Sequence, residues 1–179
     1  MRPERFRVLY DAHFDSLLAF ALRRSPSAED AADAVSETFL TAWRRWDDVP
    51  EVDARLWLFG VARRVMANRR RGDLRRDRLG QRLRSDLVAA VPDHAQRVAS
   101  TTDVMRGLRR LGESDREVLE LSLWEGLEPR EIARVLGIGE GAARTRLSRA
   151  KQRLRSELGD DRVGTGQVPV KAESERIPS

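Results

Sequence analysis

From Pro129 to Leu154 the apolar residues keep helical spacing, lapse once at Gly137-Ile138-Gly139, and resume on helical spacing. A stretch of this kind folds as two helices crossing at a short turn, because each carries one apolar stripe that the other covers. Pro129 suits the first helical position, where its missing N–H leaves nothing unpaired. Ile132 and Leu136 form the stripe of the first helix, and Ala133 is small where the two helices cross. Gly137 falls where that helix ends and the chain needs a left-handed residue. Ile138 then plugs the turn, and Ala143, Leu147, Ala150 and Leu154 line the buried side of the second helix.

The opposite face of that second helix carries Arg144, Thr145, Ser148, Arg149 and Gln152. Between Ala142 and Arg155 there are six basic residues, Arg146 and Arg153 among them, and no acid. A helix enters the DNA major groove, about 12 Å wide, where Arg pairs with guanine and Ser or Thr reads donors or acceptors. Arg153 and Arg155 are expected on phosphates, which position the helix without reading sequence. The alternative is a solvated basic face on an ordinary helical hairpin. Apolar stripe, glycine turn and acid-free basic face coincide here, and together they point to a DNA-binding helix-turn-helix.

The rest of the chain also reads as helix. Leu9, Phe14, Leu17, Leu18, Ala21 and Leu22 are helically spaced up to Ser25-Pro26. Ser27 caps a second helix, with Glu29 and Asp30 in its first turn, where acids favour the helix dipole. Asp47 to Asp53, with Pro50 and four carboxylates, reads as a loop, and a third helix is expected from about Ala54 to Arg71 with Trp57, Leu58, Val61, Ala62 and Val65 inward. From Gly72 to about Ser100 the pattern degrades into dense charge and a break at Val91-Pro92-Asp93. Order returns at Val104, Met105, Leu108 and Leu111, followed by a helix capped by Ser114 and ending at Gly126. The predicted fold is all-α: two small helical domains, 1–72 and 101–158, a linker over 73–100, and a disordered tail over 159–179.

Charge is segregated along this layout. Ser25 to Asp53 holds eight acids against two arginines, and Ala54 to Arg84 eleven arginines against two aspartates. Solvated faces usually mix signs, so blocks of −6 and +9 suggest one basic and one anionic partner; the alternative is an internal ion-pair network between these helices. The overall charge of +5 agrees with a polyanionic partner. With no cysteine there are no disulfides, thiolate metal sites or cysteine nucleophiles. His13 and His94, the only histidines, share no metal-ligand spacing, and no phosphate-binding glycine loop occurs. The expectation is a protein that is not an enzyme, with no cofactor and no metal. No apolar run nears the roughly 20 residues of a membrane span, so no membrane insertion and a cytoplasmic location are expected.

Several segments resemble the extracytoplasmic-function (ECF) RNA polymerase sigma factors of the sigma-70 family. Leu9 to Ala21 resembles the opening helix of the second sigma domain, and Asp33 to Trp43 its acidic helix that docks on the polymerase clamp. Trp57 to Arg63, running into Asn68-Arg69-Arg70-Arg71, resembles the helix that melts and holds the −10 element. Glu117 to Gly126 and Glu131 to Leu154 resemble the fourth sigma domain, which binds the −35 element. The resemblance covers roughly 8–72 and 103–158, in family order. It implies core-polymerase contacts at Asp33, Glu37, Phe39, Leu40 and Trp43, although at least one of the two aromatics is expected in the core. It implies −10 contacts at Arg63, Arg64, Asn68, Arg69, Arg70 and Arg71, with the Asp47–Asp53 loop capturing a flipped base. The −35 contacts would be Arg144, Thr145, Arg146, Ser148, Arg149, Gln152 and Arg153. The implied partners are core RNA polymerase (clamp and flap), promoter DNA and an anti-sigma factor, with the free protein a monomer.

Some positions depart from the family pattern. Ala32 and Ser36 stand where Glu and Gln are common, and Arg64 where Asn is usual. Gly139 replaces a frequent Pro or Ser, and Ala142-Ala143 a typical Thr-Val, which removes one phosphate contact and some buried area. Weaker or altered −35 binding is therefore expected. The rival reading, a repressor or activator acting without polymerase, needs a dimer interface for paired half-sites. No spare amphipathic helix offers one.

Overall fold

Ser27 Oγ accepts the backbone N–H of Asp30 at 3.0 Å and starts the second helix where the sequence places it. The computed structural model describes the backbone of residues 1–85 and 103–163, and side chains within 1–72 and 104–159. Among the described residues there are seven α-helices, one 3₁₀ turn (Trp46–Asp48) and no strand. The N-terminal half comprises α1 (Arg2–Leu22), α2 (Ala28–Arg44) and α3 (Ala54–Ser85); the C-terminal half comprises α4 (Asp103–Arg110), α5 (Glu113–Leu123), α6 (Pro129–Leu136) and α7 (Glu140–Val163).

In the N-terminal half the three helices pack mutually. Leu17, Phe20 and Ala21 of α1, Ala31, Val35 and Phe39 of α2, and Leu58, Phe59 and Ala62 of α3 are buried together. Phe20 and Phe59 stack with centroids 4.6 Å apart and fasten α1 to α3; full burial of such a side chain contributes about 1.5–3 kcal/mol. Thr38, fully buried on α2, donates its hydroxyl to the Ala34 carbonyl at 2.7 Å, so its polar atom is paired where no water reaches. In the C-terminal half α7 is the axle, packing against α4, α5 and α6 through Ala143, Leu147, Ala150 and Leu154. Gly107 of α4 permits its close crossing: a Cβ there would stand 2.9 Å from Leu154 Cδ1. Gly137 adopts φ 67° at the end of α6, the left-handed cap the turn requires.

Some boundaries differ from the sequence expectations. The third helix does not stop near Arg71 but runs to Ser85, and α7 continues through Gly159 to Val163 where a tail was expected. Both extensions are polar, and a helix that needs no buried stripe leaves no periodicity to read. Ser114 lies inside the first turn of α5; Gly112 occupies the cap. That helix ends at Leu123 with Trp124 as C-cap, and Gly126, at φ 68°, shapes the turn beyond it. Leu22 and Val104, part of the helical patterning, are 47% and 43% exposed, and Trp57, expected inward, is half-buried. The remaining linker (86–102, with the Val91-Pro92-Asp93 break and His94) and the tail from 164 lie outside the described residues.

The two halves share one hydrophobic cluster, because α6 lies directly on α3. A Cβ at Gly60 would sit 3.4 Å from the Val135 carbonyl oxygen, so the absence of a side chain at Gly60 sets the approach. Val135, 2% exposed, faces this contact.

Candidate nucleic-acid and polymerase interface

On α7 the predicted recognition residues form one exposed face. Arg144, Thr145, Ser148, Arg149 and Gln152 are all exposed, and Ala143, Leu147, Ala150 and Leu154 are buried behind them. Arg144 is steadied by Glu140 one turn earlier, at 2.7 Å. Arg149 has no partner among the described residues, so its guanidinium is free to engage a base edge. Arg146 is half-buried at the edge of the face. Arg153, expected on phosphate, pairs with Asp115, a carboxylate only 7% exposed, and braces α7 against α5.

On α2, Asp33, Glu37 and Leu40 are exposed, and Trp43 is 37% exposed beneath Arg2, whose guanidinium lies 4.8 Å from its ring. Phe39 is the one of the two aromatics that lies in the core, as expected of at least one of them, and it leaves the set of polymerase contacts: it is 4% exposed and enclosed by Phe6 and Tyr10 of α1. Leu40 and the edge of Trp43 are left as the apolar part of the exposed face.

The α3 arginines separate by partner. Arg69 bonds Asp33 at 3.1 Å and Glu37 at 3.3 Å, so part of the acidic and basic blocks do pair internally. Arg63 grips Glu117 of α5 with two nitrogens, and Arg70 pairs with Glu113 at 2.6 Å. Arg71 bonds Asn68, while Arg64 is exposed and unpaired among the described residues.

The sequence reading missed the larger half of this network. Glu125, its side chain 3% exposed, receives Arg23 at 2.8 Å and Arg24 at 2.9 Å, and its backbone carbonyl accepts from Arg55 at 2.9 Å. Arg24 also reaches Glu120 at 3.3 Å and lies 3.9 Å from the Phe20 ring centroid. Burial pulls the Arg24 guanidinium below its ordinary value against the opposing pull of Glu120 and Glu125, and burial pushes the Glu120 carboxyl up. One legible signal existed: Glu113, Glu117 and Glu120 repeat at helical spacing, an acidic stripe on α5.

Two clefts border these residues. One, of about 580 Å³, lies between α1 (Val8, Leu9, His13) and the loop holding Trp46, Val49 and Pro50. Burial lowers the His13 imidazole there, and the Arg55 charge acts in the same direction. The other, of about 470 Å³, opens between the halves over Met66, Met105, Leu108 and Trp124, rimmed by Arg69, Arg70, Arg109 and Arg116. No cluster of three or more potential metal ligands occurs among the described residues.

Known proteins share this arrangement. Sigma-70 region 2 matches residues 9–76, and Sigma-70, region 4 matches residues 102–154. The ECF RNA polymerase sigma factor SigL of Mycobacterium tuberculosis is 34% identical over 155 residues, covering 85% of this chain and 88% of that protein. The chain belongs to the ECF RNA polymerase sigma factors. A second relative, the RNA polymerase sigma-E factor of Streptomyces avermitilis, is 34% identical over 145 residues, covering 80% of this sigma factor and 79% of the relative. Among solved structures, the sigma factor RpoE of Bartonella quintana, in complex with the anti-sigma factor NepR, superposes with a TM-score of 0.64 at 25% identity, covering 88% of this chain and 99% of that one. This sigma factor is therefore a promoter-recognising protein that acts with RNA polymerase, and the reading as a standalone repressor is set aside. No described helix is long and apolar enough to cross a membrane.

Proposed function

We propose that this sigma factor docks on the core polymerase clamp through Asp33, Glu37, Leu40 and Trp43, reads the −35 element with α7, and holds the opened −10 strand with α3. The exposed α7 face, uniformly polar or basic over a buried apolar back, is the observation that carries this reading. In the major groove Arg144, Thr145, Ser148, Arg149 and Gln152 read base edges, while Arg146 stays near the backbone. Arg63, Arg64, Arg69, Arg70 and Arg71 hold the displaced strand by charge, and Asn68 by hydrogen bonding. Unstacking a base costs a few kcal/mol. The cleft between α1 and the Trp46–Pro50 loop offers apolar walls and an aromatic ring to receive it. The reaction belongs to the polymerase; the sigma factor contributes no catalytic group, needs no cofactor and works in the cytoplasm. Restraint by an anti-sigma factor, as NepR is found on RpoE, would use the arginine-rimmed cleft between the halves, whose apolar floor suits an acidic amphipathic helix.

Run-off transcription on genomic promoter fragments tests the reading. Core polymerase with this protein should start discrete transcripts that core enzyme alone does not. A protein that binds DNA by itself, leaves core enzyme unaffected and starts no transcripts would overturn it.

A further inference from the structure

The floor of the cleft between the halves serves neither −35 reading nor clamp docking. Met66, Met105, Leu108 and Trp124 form it, and the lining holds six arginines against two acids, Asp30 and Glu120. Half of those arginines are already matched: Arg69 by Asp33 and Glu37, Arg70 by Glu113, and Arg23 by Glu125. The other three are not. Arg109, exposed in the last turn of α4, has no partner among the described residues. Arg116 approaches Glu120 at 3.7 Å, beyond hydrogen-bond distance. Arg24 faces Glu120 and Glu125 with its side chain 10% exposed, yet its Nη2 is buried with no hydrogen-bond partner. A buried donor left unpaired costs about 1–3 kcal/mol, which an acceptor entering the cleft would recover.

At about 470 Å³ the cleft falls within the range of small-molecule sites, about 300–1,000 Å³, and it lies at a seam between packed helices, where such sites occur. Its two chemistries sit side by side. The Arg23 and Arg24 guanidiniums lie 5.9 and 5.7 Å from the Trp124 ring centroid. An indole and the thioethers of Met66 and Met105 favour a flat ring, and unmatched guanidiniums favour phosphate, which they bind with two parallel hydrogen bonds. We propose that this cleft binds a nucleoside polyphosphate, with its base against Trp124 and the two methionines and its phosphates on Arg24, Arg109 and Arg116. The proposal rests on neither the −10 nor the −35 assignment. The ligand fills the space that an anti-sigma helix would enter, so the two compete.

Isothermal titration calorimetry of the full chain tests the site with ATP, GTP, adenosine, inorganic tripolyphosphate and a short oligothymidylate. ATP or GTP should bind about tenfold tighter than tripolyphosphate, the worth of one stacked base, and adenosine should bind weakest. Arg109→Ala should weaken nucleotide and tripolyphosphate alike by about tenfold, the loss of one charged hydrogen bond. Trp124→Leu should bring the nucleotides down to the level of tripolyphosphate, and Trp124→Phe, which keeps a ring, should restore the preference. Arg7→Ala, outside the cleft, should change nothing. Tripolyphosphate binding the unmodified chain as tightly as the nucleotides would reveal a cationic patch with no ring site and overturn the proposal. Equal losses in Arg7→Ala and Arg109→Ala would show diffuse attraction to a basic protein, with the same consequence. Binding of oligothymidylate alone, weakened by Arg109→Ala, would give the cleft to single-stranded nucleic acid instead. No binding of any nucleotide at millimolar concentration would leave the proposal refuted.

Discussion

Arg149 and Arg144 sit on the same face of α7 but in different states. Glu140 already engages Arg144, whereas Arg149 has no partner among the described residues. Replacing Arg149 by Ala should cost about 1–3 kcal/mol of base discrimination, and Arg144 somewhat less, read by competition binding of holoenzyme to −35 fragments of varied sequence. An equal loss on every sequence would instead make Arg149 a phosphate contact. Glu125 is the corresponding residue for stability. Its side chain is 3% exposed and answers two guanidinium groups. Glu125→Ala should therefore lower stability in chemical denaturation, by less than the about 3–5 kcal/mol of a wholly uncompensated buried charge, because Glu120 still faces Arg24. His13 governs a pH effect. Its folded-state value is depressed below 6.5, by burial first and by Arg55 second, so the folded protein binds fewer protons than the unfolded chain just below that pH. Its stabilising contribution is present above about pH 6.5 and is lost as pH falls through the depressed value. His13→Gln should flatten stability against pH in that window, measured by thermal melting across buffers.

At the scale of elements, the helix-turn-helix depends on one backbone conformation. Gly137 holds φ 67° with nothing within 4 Å of an added Cβ, so Gly137→Ala meets no clash and reports the cost of the left-handed backbone alone. That cost is about 1–2 kcal/mol, seen as a lower unfolding midpoint. Gly107 is the opposite case, with ordinary backbone but no room beside Leu154, and a larger residue there must push α4 off α7. The acidic helix α2 also works on two sides. Its Phe39 face completes the aromatic cluster with Phe6 and Tyr10, and its Asp33–Glu37 face holds Arg69. Arg69 is thus held by the two carboxylates that are proposed to face the clamp.

For the whole molecule, the decisive contact is α6 on α3. It places the first helix of the helix-turn-helix against the helix assigned to the −10 strand, at Gly60, where the missing side chain lets the backbones approach. Gly60→Leu should separate the halves without unfolding either, read as a larger radius of gyration by solution scattering and an unchanged helical circular dichroism signal. An unchanged radius would show that the ion pairs hold the halves together without this contact.

The local chemistry of this protein was legible in its residues. Apolar periodicity marked the helices of both halves, Ser27 and Gly137 marked two of their ends, and the alternation on α7 marked which of its faces is exposed, since each signal acts within a few turns of chain. The lengths of α3 and α7 were not legible, because a solvated helical extension carries no stripe. Nor was the role of Phe39, whose 3.6-residue spacing suits a docking face and a core face equally until Phe6 and Tyr10 close over it. The partners of Arg23, Arg24, Arg63 and Arg70 were not legible in the sequence. Only the tertiary structure brought Glu113, Glu117, Glu120 and Glu125 to them, since a charge is neutralised by what lies within a few ångströms in space, and these partners are 43 to 102 residues away along the chain.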